Sequence, residues 1–244
     1  GLGDVVTARS LLESAVSMAA LGGSTRISLW SHGWLARVHF STGDWDSALR
    51  VVEEGRRLSR TSGIHLVTGL LTWTAAQIHS LRGDWQSADA DLNEATALAG
   101  DYEIIRVPQM LTRAHLAEAK ADYAGVIRAL EPLRQLAAHT PALVEPGWWP
   151  WVDVLANALV LSGRHDAADD LLTPHETLAA QRGHHPAQAR LGYARGRYLG
   201  AIGDIHGARA AFEEALRLVE GLPLRYDSAR INFAYGQTLR RSGK

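Results

Sequence analysis

Cysteine is absent from the 244 residues, which excludes a disulfide framework, a thiolate metal site and a thiol nucleophile. Net charge is nearly absent as well. With 25 basic and 26 acidic residues the formal charge is -1 at pH 7, and no basic footprint for gripping a phosphate backbone exists. Direct contact with nucleic acid is therefore not expected of this stretch. Apolar runs approaching the ~20 residues of a membrane span are missing, as is a basic start followed by a hydrophobic signal segment. No membrane partner is expected, and a cytoplasmic location fits the lack of cysteine.

Catalytic motifs are missing too. The only Gly-Lys pair is Gly243-Lys244, with Thr238 where the first glycine of a phosphate-binding loop belongs, and no Gly-x-Ser-x-Gly elbow occurs. Hence no enzyme activity and no cofactor is expected. Eleven histidines include the adjacent His184 and His185, and His39 with His79 at equivalent places in neighbouring segments. No spacing brings three or four ligands onto one helix, so no metal site is expected. His175 falls on an apolar stripe, where packing is its expected role.

What is present is a soluble composition, 46% hydrophobic and 21% charged, long enough to bury a core. It is also periodic. Gly3-Asp4-Val5, Gly43-Asp44-Trp45, Gly83-Asp84-Trp85 and Gly203-Asp204-Ile205 share one pattern, with Gly163-Arg164-His165 and Gly243-Lys244 in phase at steps of 40 residues. Ala121-Asp122-Tyr123 is the remaining member, displaced by two residues, and the compensating insertion is expected in the Pro- and Trp-rich stretch 141–151. Repeat turns are thus expected near 3, 43, 83, 121, 163, 203 and 243.

Side-chain size repeats in register with these markers. Seven residues before each stand Ala36, Ala76, Ala114, Ala156, Gly196 and Gly236; five after stand Ala8, Ala48, Ala88, Val126, Ala168 and Ala208. Nine after come Leu12, Val52, Leu92, Leu130, Leu172 and Phe212, and twelve after Ala15, Gly55, Ala95, Leu133, His175 and Ala215. Offsets of five, nine and twelve form one helical stripe, and small residues mark the closest approach of two helices. Each marker then reads as a turn between helices: glycine ends the first in a left-handed conformation, and aspartate caps the second. Arg164 breaks the capping pattern. The expected pairs are 25–42 with 44–60, 65–82 with 84–99, 103–120 with 122–138, 150–162 with 164–182, and 186–202 with 204–220. A lone second helix precedes them, and a lone first helix near 224–242 follows.

A helix pair cannot bury its apolar stripe alone, so stacked neighbours supply the core of a superhelical solenoid with a concave side. Val219, Leu222, Leu224 and the face around Phe233 on the final helix are expected to be partly exposed, a surface for self-association. The start at Gly1 and the stop in mid-pattern at Lys244 read as a single helical-repeat domain, 1–244, cut from a longer multi-domain chain.

The small-residue register resembles the tetratricopeptide repeat, with a period near 40 in place of 34 and without the usual aromatic signature and inter-repeat proline. That resemblance implies an all-α, right-handed superhelical solenoid of helical hairpins. The longer period is similar to the repeat region of large MalT-like, LuxR-type bacterial transcriptional regulators. So is the closing segment from Ala229 to Lys244, with its Leu239-Arg240-Arg241-Ser242-Gly243-Lys244 string. The resemblance implies a scaffold that senses an inducer or inhibitory protein and relays that state to other domains of the same chain. The alternative is a free-standing adaptor that binds a peptide or protein through the same groove.

First helices line the groove in such solenoids, and their polar ladder is legible. Six residues before each marker lie Arg37, Gln77, His115, Asn157, Arg197 and Gln237; ten before lie Gly33, Trp73, Leu111, Asp153, Tyr193 and Phe233; thirteen before the last two lie Arg190 and Arg230. Guanidinium and amide groups beside aromatics suit a peptide, a protein segment or a small anionic effector. The competing reading is a solvated helix face. Trp148, Trp149 and Trp151 in the irregular connection are either a packed lid or an exposed aromatic contact. An enzyme grafted on this scaffold would have only Asp153 and His115 of the ladder to draw on.

Overall fold

The structure, a computed structural model, describes residues 4–98 and 102–241, and all of their regular structure is helical. Twelve α-helices follow one another: α1 Val5–Gly22, α2 Thr25–Thr42, α3 Trp45–Ser62, α4 Thr68–Arg82, α5 Trp85–Ala97, α6 Glu103–Ala119, α7 Tyr123–Ala137, α8 Val152–Leu161, α9 His165–Gln181, α10 His185–Ala201, α11 Ile205–Leu218 and α12 Arg225–Arg241. A single 3-10 turn, Pro141–Leu143, sits in the long connection before α8. The chain is thus a set of helical hairpins on a 40-residue period. The turns expected near 3 and 243 lie outside the described residues.

The turns form for the reasons the sequence provides. Gly43, Gly83, Gly163 and Gly203 adopt φ values of 80°, 75°, 73° and 90°, the left-handed region that ends a helix at little cost only for glycine. The displaced marker keeps that conformation without glycine: Ala121 has φ 56°. Asp44, Asp84, Asp122 and Asp204 then accept from the backbone N–H three residues on, at 3.2, 3.1, 2.8 and 2.8 Å. Arg164 makes no such cap.

Packing divides the chain into two compact units, residues 4–120 and 121–241. In the first, α2, α4 and α6 lie side by side, α3 bridges α2 and α4, and α5 bridges α4 and α6. In the second, α8, α10 and α12 lie side by side, α9 bridges α8 and α10, and α11 bridges α10 and α12. Among the described residues the backbone of α3 comes close to neither α1 nor α5, and that of α9 to neither α7 nor α11. First helices are therefore the closely spaced layer of each unit.

The small-residue register is the core. Ala36, Ala114 and Ala156 before the turns, and Ala48, Ala88, Val126, Ala168 and Ala208 after them, are fully buried. Gly196 is required by contact: a Cβ there would stand 2.7 Å from the Phe212 ring of α11. The stripe on α1 is only half-buried at Ala8, Leu12 and Ala15, and Gly236 on α12 is exposed. On the last hairpin the expected exposure holds for Phe233, at 68%, but Val219 and Leu224 are buried because the connection folds back before α12 starts.

Candidate functional site

In the first unit the ladder closes on itself. Arg37 on α2 donates from Nη1 to Gln77 Oε1 on α4 at 2.9 Å, and its guanidinium lies 3.6 Å above the Trp73 ring and 4.5 Å from that of Phe40. Trp73 is buried, and its indole N–H donates to His115 Nδ1 on α6 at 3.1 Å. Trp73, Gln77 and His115, read from the sequence as groove-lining, therefore sit in the interior, where their polar atoms tie neighbouring helices together.

The second unit shows two clusters. Toward the helix N-termini, Arg230 on α12 donates to Asp153 on α8 at 2.9 Å, with its guanidinium 4.5 Å from the Tyr193 ring of α10. Asp153 is almost wholly buried, and Arg190 lies 3.8 Å from Asp227 beside it. A carboxylate buried this deeply depends on its cation, since removing one partner of a buried pair costs about 3 to 5 kcal/mol. Asn157 on α8 and Tyr193 are buried as well, whereas Phe233 points away into solvent. Arg230, Tyr193, Asp153 and Arg190 are brought together, but as an internal brace.

Toward the helix C-termini the same layer opens. A groove of about 720 Å³ runs between the ends of α8, α10 and α12, lined by Val160, Leu161, Gly163, Arg197, Gly200, Ala201, Gly203, Ile205, Gln237, Thr238 and Arg241. Arg197 donates to Gln237 at 3.1 Å on its wall. Arg241 belongs to no ladder row and was not legible as a site residue; its position becomes meaningful only once α12 is seen beside α10.

The Trp-rich connection is pinned at three points. The buried Trp151 donates its indole N–H to Leu143 O at 2.9 Å and stands edge-on to His175. Arg182 grips the Glu145 carboxylate at 2.8 and 3.3 Å. Gly147, φ 98°, runs so close to His184 that a Cβ would collide with the ring. A small cavity of about 40 Å³ lies beneath, lined in part by Trp149, Trp151, His175 and Arg190. That is room for roughly two or three waters. Trp148 is 54% exposed and Trp149 half-buried, so one of the three Trp is anchor, one wall and one surface.

The conspicuous histidines have local employment. His184 Nδ1 accepts from Ala187 N–H at 3.1 Å and caps α10, and burial, helped by Arg190, holds its pKa below the usual imidazole range. Burial also lowers His175 and His39. His79 Nδ1 lies 2.7 Å from Asp91 on α5. Among the described residues no three histidine or acidic side chains converge as a metal set.

Two polar networks escaped sequence reasoning. Arg56 on α3 reaches Asp91 at 2.6 Å and Glu94 at 2.7 Å on α5. Arg195 on α10 binds Glu176 and Asp169 on α9 at 2.6 and 2.5 Å, which raises its pKa through the Glu176 hydrogen bond first. Partners 19 to 38 residues apart leave no local spacing signal.

Compared with known proteins, the chain matches no protein-family model, and no curated protein matches it.

Proposed function

We propose that this chain is a non-catalytic repeat domain for ligand sensing and protein contact. The observation that carries the reading is the groove at the ends of α8, α10 and α12, which has the volume of a small-molecule site. Arg197 and Gln237, two ladder residues, form its polar wall. The acids and histidines that could do proton chemistry support the same reading, because each of the best placed is spent on structure: Asp153 on Arg230, Asp91 on Arg56 and His79, His184 on a helix cap.

The period near 40, the small-residue register and the Leu-Arg-Arg ending support a more specific role as the sensor region of a cytoplasmic MalT-like, LuxR-type transcriptional regulator, contacting other domains of its own chain. No helix among the described residues is long and apolar enough to cross a membrane.

Two measurements test this. A thermal-shift screen of the 244-residue chain against small molecules and short peptides should find stabilisers that Ala201→Trp, which fills the groove from an exposed position, no longer responds to. A screen in which every hit acts equally on parent and Ala201→Trp removes the groove. The reading frame around the segment tests the regulator: a phosphate-binding loop upstream and a helix-turn-helix downstream are expected, and their absence leaves the free-standing adaptor.

A further inference from the structure

Arg37 and Arg197 occupy the same ladder position and each donates to a glutamine 40 residues on, yet their surroundings differ. Arg37 is covered by Phe40, three residues before its turn, and by Trp73. At the equivalent of Phe40 the second unit has Gly200, against which Thr238 of α12 packs so closely that a Cβ there would stand 2.6 Å from Thr238 Cγ2, so no ring covers Arg197 from that position. Tyr193 is 6.0 Å from the Arg197 guanidinium, too far to sandwich it. The groove therefore has Arg197 on its wall without an aromatic cover.

Its chemistry is one-sided. Among the described residues the lining carries two guanidinium groups, Arg197 and Arg241, and no carboxylate. The C-terminal ends of α8, α10 and α12 oppose an anion, each with about half a negative charge, although hydrogen bonds from Gly163 and Arg164 to Val160 O and Leu159 O, and from Asp204 to Leu199 O, occupy some of the carbonyls of α8 and α10. Two full positive charges outweigh three partial ones. Val160, Leu161 and Ile205 supply an apolar wall opposite. An extended chain would find no continuous track, because the Arg230–Asp153 pair closes the face across Tyr193.

We propose that the groove between the ends of α8, α10 and α12 binds a small organic carboxylate with an apolar body, its carboxylate held by Arg197 and Arg241. The inference rests on the groove reading above and adds the ligand class. Bidentate geometry suits Arg197, which exchanges its neutral Gln237 partner for the charged one. Ligand binding thereby loosens the side-chain link between α10 and α12.

The test is calorimetric titration of the 244-residue chain with octanoate and with a pentapeptide ending in leucine, each against its amide, alongside the hits of the thermal screen. Octanoate is expected to bind and octanamide not. Arg197→Ala and Arg241→Ala each weaken octanoate at least tenfold, Ala201→Trp abolishes it, and Arg128→Ala, exposed on α7 outside the groove, leaves it unchanged, all with the parent's helical content by circular dichroism. Equal binding of acid and amide, or affinity unmoved in both arginine variants, overturns the carboxylate assignment. Binding of the peptide acid alone overturns the small-ligand assignment. Neutral hits lost in Ala201→Trp but kept in Arg197→Ala would sink the inference and spare the groove; no probe sensitive to Ala201→Trp would sink both.

Discussion

Arg37 donates to Gln77 at 2.9 Å across 40 residues, and the same atom types join Arg197 to Gln237 at 3.1 Å across another 40. One ladder position therefore serves two environments. Arg37→Ala removes a guanidinium stacked on Trp73 as well as a hydrogen bond, and should destabilise the protein by about 2 kcal/mol. Arg197→Ala loses the hydrogen bond on an open wall and should cost about 0.5 kcal/mol. Urea denaturation of the two variants gives the comparison, and equal losses would remove the distinction between a covered and an open arginine.

The turns carry a second expectation. Ala121 holds φ 56° where four other turns place glycine, so Ala121→Gly should relieve left-handed strain and stabilise by about 1 kcal/mol, even after the extra freedom glycine has when unfolded. Arg164 opens α9 without a side-chain cap. Arg164→Asp should supply one and add about 1 kcal/mol. Both are read from denaturation midpoints; a loss of stability in either would mean that the irregular turn is held by contacts the marker pattern does not describe.

Helix order, turn positions and the buried stripe were legible because each repeats, and repetition needs no knowledge of long-range contacts. Ala48, Ala88, Ala168 and Ala208 are buried for one reason, visible in one alignment of the chain with itself. The ladder was legible as a list of residues but not as a site. Whether Trp73 faces a ligand or the interior depends on Arg37 and His115, which approach it from other helices. The groove was illegible since it depends on the nearness of Arg241 and Thr238, on α12, to the end of α10, a contact between helices that no local spacing announces.

Acid should weaken the fold in a window set by histidine before carboxylates titrate. His184, His175 and His39 are held below their ordinary value near 6.5 by burial, so the unfolded chain binds protons that the folded chain refuses. Their contribution is complete above that value and is lost as pH falls through the folded pKa values. The melting temperature should fall between pH 7 and pH 5. His184→Asn keeps an N-cap acceptor for Ala187 N–H and removes one titrating group, so the variant's decline should be shallower than the parent's. An identical slope would show that His184 contributes nothing to it.

Asp91 is the side chain whose loss should be felt most widely in the first unit. Only 6% of its carboxylate is exposed, with Arg56 at 2.6 Å from α3 and His79 at 2.7 Å from α4, so one group on α5 ties side chains from two other helices. The equivalent positions, eight residues after their markers, are Val51, Ala129, Leu171 and Ala211, which shows that the repeat itself does not need an acid there. Asp91→Ala leaves Arg56 buried with Glu53 and Glu94, both more exposed acids, and should cost about 3 kcal/mol. Arg56→Leu combined with Asp91→Leu removes the buried charge along with its partner and should recover most of that loss. A double variant as unstable as Asp91→Ala would mean that the network is required for packing and is no mere substitute for apolar contact; a single variant costing under about 1 kcal/mol would mean that the two glutamates suffice to hold Arg56.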